Sequence, residues 1–265
     1  MNWSGRVAIV TGGASGIGAA TVAEFAALGV RVAIFDINQQ AGDAWAQTLQ
    51  TQGQTVQAYG VDVADRAACQ QAVTAVDAAW GRVDFLVNCA VSFLAKGLDA
   101  TTADWQRSLG VNVGGYANMV QACHEPMRRT GGGAIVNMAS ISGHIAQPNR
   151  WTYNASKGAI LTMTKCQALD LAPDKIRVNS ISPGWIWTPE VAKAAEQDRA
   201  KWEPVWGRYH MLRRLGEPRE VAKAVLFLCS DDASFITAAD LSVDGGYLGL
   251  GSEGLGESSA FAGTA

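Results

Sequence analysis

Tyr153-Asn154-Ala155-Ser156-Lys157 places a phenol and an ammonium four positions apart, which is one turn apart on the same face of a helix. Moving a hydride onto a carbonyl requires a proton for the developing alkoxide, and the reverse reaction requires a base for the alcohol proton. A phenol with a pKa of about 10 is a poor base at neutral pH. A neighbouring cation favours the phenolate. Ser140 closes an apolar run upstream, where a hydroxyl can bind a substrate oxygen and the charge that grows on it. These residue types suit Tyr153 as acid/base, Lys157 as its charged partner and Ser140 as the group that orients substrate.

A second cluster explains where the hydride would go. Thr11-Gly12-Gly13-Ala14-Ser15-Gly16-Ile17-Gly18 lies between a predicted strand and a predicted helix. Glycines there let the backbone turn sharply and approach a diphosphate, and the helix start offers unpaired N–H groups. The expected contacts are Gly12, Ser15, Gly16, Ile17 and Gly18. Asp36 ends the second predicted strand, where a carboxylate accepts ribose hydroxyls and repels a 2′-phosphate. Ile37 follows it, and neither Ala14 nor Ser15 brings a balancing cation, so NAD is expected over NADP. Asp62 and Val63 are expected at the adenine, Asn88 and Ala90 along the pocket wall. Lys157 would then also hydrogen-bond the nicotinamide ribose.

Positioning these groups requires short apolar strands separated by single helices. Strands are expected at 6–10, 30–35, 55–60, 83–87, 134–138, 176–181 and 241–243, and a helix from Thr152 to Leu171. The spacing of Ala19, Val22, Ala23 and Ala26 is helical. Strands that are apolar throughout imply a parallel sheet covered on both faces. The fold class is therefore α/β, a doubly wound, Rossmann-type fold with a mainly parallel seven-stranded sheet, and residues 1–248 are read as one catalytic domain. Asn112, a polar amide among apolar neighbours, needs partners, and it is read as holding a water that links Lys157 to solvent. Residues 185–214 break the rhythm with Trp185, Trp187, Trp202, Trp206 and Tyr209 and are read as a substrate cover. The tail 249–265, rich in Gly, Ser and Ala, is read as flexible or packed on a neighbouring subunit.

The balance of the chain excludes other classes. Of its 265 residues 48% are hydrophobic and 17% charged, and the net charge is −3, which gives no basic footprint for nucleic acid. Five scattered cysteines and three histidines complete no metal or disulfide pattern. No run is long enough to span a bilayer, and a cytoplasmic location is expected. Ser142, His144, Asn149 and Trp185 join Ser140 and Tyr153 as expected substrate contacts, with Gln147 and His210 as further polar candidates. Aromatic faces mixed with hydroxyl-binding groups suit a sugar, polyol or cyclic diol.

In these residues the chain resembles the short-chain dehydrogenase/reductase family, from Gly5 to about Tyr247. The matching positions are Thr11-Gly12-x-x-x-Gly16-x-Gly18, Asp62, Asn88-x-Ala90, Asn112, Ser140, Tyr153-x-x-x-Lys157 and Pro183-Gly184 with Thr188. The resemblance implies a catalytic set of Asn112, Ser140, Tyr153 and Lys157. It also implies cofactor contacts from Pro183, Gly184 and Ile186, with Thr188 near the nicotinamide amide and diphosphate. A homotetramer is implied as well, packed through helices at about 105–129 and 152–171. Val91 departs from the family pattern, which has glycine there. A 3-oxoacyl-thioester reductase and a hydroxysteroid dehydrogenase are the alternative activities, the first disfavoured by Asp36.

Overall fold

The computed structural model describes residues 3–256. Seven strands alternate with helices: β1 Val7–Thr11, α1 Gly16–Ala27, β2 Arg31–Asp36, α2 Gln39–Gln50, β3 Val56–Gly60, α3 Arg66–Trp80 and β4 Phe85–Asn88. Next come α4 Thr102–Leu109, α5 Gly115–Arg129, β5 Gly133–Met138, α6 Trp151–Leu171 and β6 Ile176–Pro183. The last are α7 Pro189–Ala194, α8 Arg199–Gly207, α9 Pro218–Cys229 and β7 Asp240–Val243. The strands form one sheet in the order β3-β2-β1-β4-β5-β6-β7, and every pairing is parallel. Expected strand boundaries hold within a residue or two.

Alternation along the strands sends side chains to two cores. Ala8, Val10, Val32, Ile34, Val87 and Val136 pack with α1, α2 and α9 on one face. Val7, Ile9, Ala33, Phe35, Leu86 and Ile135 pack with α3, α5 and the end of α6 on the other. The central strands are buried at almost every position, as a doubly covered sheet requires. The edge strand β3 is only half-buried, so the expectation of uniformly buried strands fails there because its outer edge lacks a neighbour.

All strands end on one side, and the order reverses between β1 and β4. That reversal opens a crevice at the carboxyl ends. The opposite end is tied by Asp84, which is 1% exposed. Its carboxylate accepts from Arg82 Nε at 2.8 Å and Nη2 at 2.6 Å, from Arg6 Nη1 at 3.0 Å and from the Val7 amide at 2.8 Å. This knot joins the starts of β1 and β4.

The long helix expected before β5 is interrupted. Residues Gly110–Gly114 form a π turn between α4 and α5, with the Gly115 amide reaching Gly110 O. Single π turns of this kind re-aim side chains at functional sites. Residues 185–214 form α7 and α8 with a turn through Glu196 and Gln197, both at positive φ. Of the tail, Ser252–Leu255 makes one short 3-10 turn, and residues 257–265 lie outside the described residues. No helix among the described residues is long and apolar enough to cross a membrane.

Breaking the Asp84 knot leaves two guanidinium groups without their buried acceptor. Asp84→Ala is expected to destabilise the fold by about 3 kcal/mol in urea unfolding. A loss below about 1 kcal/mol would show that the knot is incidental.

Candidate active site

One cleft of about 570 Å³ runs along the carboxyl ends of β1 to β6. Its floor is set where the β1 and β4 loops meet. Thr11 Oγ1 accepts from the Cys89 and Ala90 amides, both at 3.0 Å. A Cβ on Gly12, which sits at φ +62°, would come within 2.9 Å of the Ala90 backbone, so only glycine allows this contact. A Cβ on Gly18 would lie 2.1 Å from Gly12 O. Ser15 precedes α1 without capping it by its side chain, which leaves that helix start open to an anion. Gly16 faces Thr188, whose methyl carbon is 3.4 Å from the place a Cβ would take. Thr188 itself caps α7, its hydroxyl accepting from Val191 N at 3.4 Å.

The expected cofactor residues fall along this cleft in order. Gly12, Ser15, Gly16, Ile17 and Gly18 line one stretch, and Asp36, Ile37, Asp62 and Val63 line the end beneath β2 and β3. Asp36 is held by the Ala14 amide at 3.1 Å and the Asn38 amide at 2.9 Å, and Asp62 accepts from Ala64 N at 2.9 Å. Ala90, Pro183, Gly184, Ile186 and Thr188 line the remainder. Asn88 does not reach it: the residue is fully buried and donates to Asn137 Oδ1 at 2.9 Å, so it is part of the wall behind the cleft. Val91 lines the cleft outside the positive-φ region. The side chain at the family's glycine position is therefore accommodated without backbone strain.

Ser140, Tyr153 and Lys157 meet at the other end. Ser140 leads a 3-10 turn, and its hydroxyl accepts from Ser142 N at 3.1 Å. α6 carries Tyr153 and Lys157 inward, 9% and 2% exposed. Burial pushes the Tyr153 phenol up to about 12, while the Ser140 hydroxyl and the Arg150 charge pull it down. Burial also lowers Lys157 to about 7. Its Nζ donates to Met138 O at 2.7 Å and sits 5.7 Å from the centroid of the Tyr153 ring. Two cations thus stand near the phenol, Lys157 over its ring and Arg150 on the approach to α6. Lys157 is where the sequence placed it, one turn from Tyr153, whereas Arg150, three positions before Tyr153, was not among the expected site residues.

Several expected contacts sit elsewhere. Asn112 is fully buried outside the cleft lining. Its Nδ2 donates to Ser92 O at 3.1 Å and Ser156 Oγ at 2.9 Å, and its Oδ1 accepts from Ser92 N at 2.7 Å. Both side-chain donors are engaged in tying the β4 loop to α6, so the side chain does not hold the expected water through them. His144 points away from the cleft, with Nε2 at 3.0 Å from Asp240 Oδ2 and 3.1 Å from Ser182 Oγ. Asn149 is exposed, adopts φ 57° against Gly97, and does not line the cleft either. His210 is buried and accepts from the Trp185 amide at 3.2 Å. Ser142, which donates to Gln147 Oε1 at 2.7 Å, and Trp185 do line the cleft.

Trp185 ends a stack instead of standing alone. Its ring lies 4.9 Å from Trp206, which lies 4.8 Å from Trp202. Arg150 covers Trp185 at 5.9 Å and Lys201 covers Trp202 at 5.1 Å. Thus α8 contributes to the site by bracing Trp185, and α7 lines the cleft directly through Pro189, Glu190 and Val191.

The residues fit a dinucleotide: a glycine cradle too tight for any Cβ, an open helix start, a carboxylate beneath β2 and a buried phenol at the far end. Such a cofactor would be held by the glycine loop, Asp36 and the β4 and β6 loops, and would supply a hydride acceptor beside Tyr153.

Comparison with known proteins agrees with this geometry. A family model described as Enoyl-(Acyl carrier protein) reductase matches residues 12–248. The chain is 39% identical over 244 residues to D-threitol dehydrogenase of Mycolicibacterium smegmatis, covering 92% of this chain and 93% of that one. It is 38% identical over 253 residues to NAD-dependent glycerol dehydrogenase of Listeria innocua, covering 93% and 95%. The crystal structure of levodione reductase superposes with a TM-score of 0.85 at 30% identity, over 92% of this chain and 97% of that one. The chain belongs to the short-chain dehydrogenase/reductase family, enzymes that carry out NAD(H)-linked oxidoreduction of CH–OH and C=O groups.

Proposed function

We propose that this enzyme oxidises a secondary alcohol of a polyol, sugar or cyclic diol with NAD in preference to NADP, Tyr153 acting as acid/base. The observation that carries this reading is one cleft with Asp36 at one end and the facing Ser140 and Tyr153 at the other. The relatives named for threitol and glycerol support a polyol. In this reading Ser140 binds the substrate oxygen and Tyr153 takes the alcohol proton as the hydride leaves. Lys157 orients the ribose beside it, and Asn112 acts as a positioning residue that fixes the β4 loop against α6. A homotetramer packed through α5 and α6 accounts for the exposure of Leu169, 76% accessible on α6. A cytoplasmic enzyme is the matching setting.

The direct test is initial-rate NAD reduction over aldoses, polyols, cyclic diols and steroid alcohols, with NADP in parallel. A polyol or sugar hit with NAD supports the assignment, and activity confined to a steroid or acyl substrate replaces the substrate class. Tyr153→Phe is expected to lower turnover at least ~1,000-fold while the Kd for NADH stays within about threefold. Turnover near wild type would remove Tyr153 from the chemistry. Because the deprotonated phenol is the base, the oxidation rate should rise with pH, and carbonyl reduction should fall.

Asp36→Ala should lower the ratio of NAD to NADP efficiency at least tenfold, read as kcat/KM for each, because the charge opposing a 2′-phosphate is gone. An unchanged ratio would move discrimination elsewhere.

Lys157 makes a separate stability prediction. Its folded pKa of about 7 lies below the unfolded value of about 10.5. Between those values the unfolded chain holds a proton that the folded chain does not, so stability rises with pH across the window. Lys157→Met should therefore stabilise the cofactor-free protein by about 4 kcal/mol at pH 6.5, with the gain shrinking to about 1 kcal/mol by pH 9.5. An equal gain at both pH values in urea unfolding would contradict a depressed Lys157.

A further inference from the structure

We propose that the substrate end of the cleft contains a subsite for an anionic group, a carboxylate or a phosphate ester, read by Arg150. This rests on the reading that the same end accepts a secondary alcohol, and it narrows that alcohol to a hydroxy acid or a phosphorylated polyol.

Arg150 stands immediately before α6, half-buried, and lines the cleft together with Tyr153, Ser140 and Trp185. Its guanidinium carbon lies 5.9 Å from the centroid of the Trp185 ring, and that ring is braced from behind by Trp206 and Trp202. Its charge reaches the phenols of both Tyr153 and Tyr247. The braced ring thus places the Arg150 guanidinium at the lip of the cleft that it lines with Ser140 and Tyr153.

Its donors are left open. Among the described residues Arg150 has no carboxylate partner and no side-chain hydrogen bond, whereas Arg82, Arg128, Arg129, Arg199, Arg214 and Arg219 each pair with a carboxylate. A guanidinium presents five N–H donors in a planar fork that matches carboxylate or phosphate oxygens. Holding that fork over an aromatic platform, without an internal acceptor, prepares it for an anion from outside.

Other charged groups also line the cleft. Asp36 and Asp62 sit at the far end beneath β2 and β3, and Glu190 comes from the first turn of α7. Arg107 on α4 also lines the cleft and is likewise without a carboxylate partner among the described residues. The cofactor diphosphate does not account for Arg150, because its cradle lies at the start of α1 opposite Thr188, while Arg150 lies against Trp185 at the start of α6.

Three ligands with the same six-carbon chain test the proposal: sorbitol, gluconate and sorbitol 6-phosphate. Each is titrated calorimetrically into the enzyme saturated with NADH, where an alcohol binds without turnover. At least one anion should bind about tenfold or more tightly than sorbitol, and the better anion identifies the source of the charge. Arg150→Gln should remove that preference while moving the Kd for sorbitol far less, and Arg150→Lys should retain part of it. Three equal affinities, no measurable binding of either anion, or a preference that survives in Arg150→Gln would overturn the subsite. Weaker NADH binding in Arg150→Gln, equal to the loss for the anions, would reassign Arg150 to the cofactor. NAD reduction with the same compounds, in a wider panel of secondary alcohols, separates the two levels. An anion preference in binding with no alcohol turned over would sink the dehydrogenase reading alone, and turnover of sorbitol without any anion preference would sink the subsite alone.

Discussion

Burial of ionisable groups at the carboxyl end of a parallel sheet sets the terms for this site. Tyr153 and Lys157 lie between α6 and the end of β5, almost without access to water. Desolvation there opposes both the phenolate and the ammonium. The chain answers with the Ser140 hydroxyl at the phenol, with the Arg150 charge farther out and with Met138 O on the ammonium. In the proposed reaction the positive nicotinamide would favour the phenolate further and so couple cofactor binding to base strength.

The same constraint explains the supporting architecture. Helices on both faces keep the central strands dry, and Asp84 fixes the starts of β1 and β4 at the other end. The switch between these strands then brings Thr11, Gly12 and Ala90 into contact. Asn112 extends that order sideways. From a π turn it holds the β4 loop through Ser92 and α6 through Ser156, and Thr152 ties the same loop to α6 through Leu94 and Lys96.

The sheet and its order of elements were legible because apolar runs alternate with helical spacing over the whole chain. The meeting of the glycine loop, Asp36, Ser140, Tyr153 and Lys157 in one cleft was legible because their residue types and spacing point to one chemistry. Direction was not legible. His144 and Asn149 have suitable chemistry and lie near Tyr153 in sequence. A hydrogen bond to Asp240 turns His144 away, and a left-handed turn displaces Asn149. Asn112 was found for the right reason, a polar amide among apolar residues, but its partners are backbone and Ser156. The tryptophans could be counted, yet only the fold shows that Trp202 and Trp206 brace Trp185. Arg150 has no spacing signature as a lone arginine before a helix, and only the fold brings it to the cleft beside Trp185.

The central claim is that a buried phenol at Tyr153 becomes a usable base through the charges around it. Ultraviolet difference titration of the phenolate, comparing wild type with Tyr153→Phe in the absence and presence of NAD, measures this directly. The account predicts one phenol that titrates near about 12 in the free enzyme, moves down by at least ~2 units when NAD is bound, and is missing in Tyr153→Phe. A Tyr153 titration that NAD leaves unmoved would contradict the account.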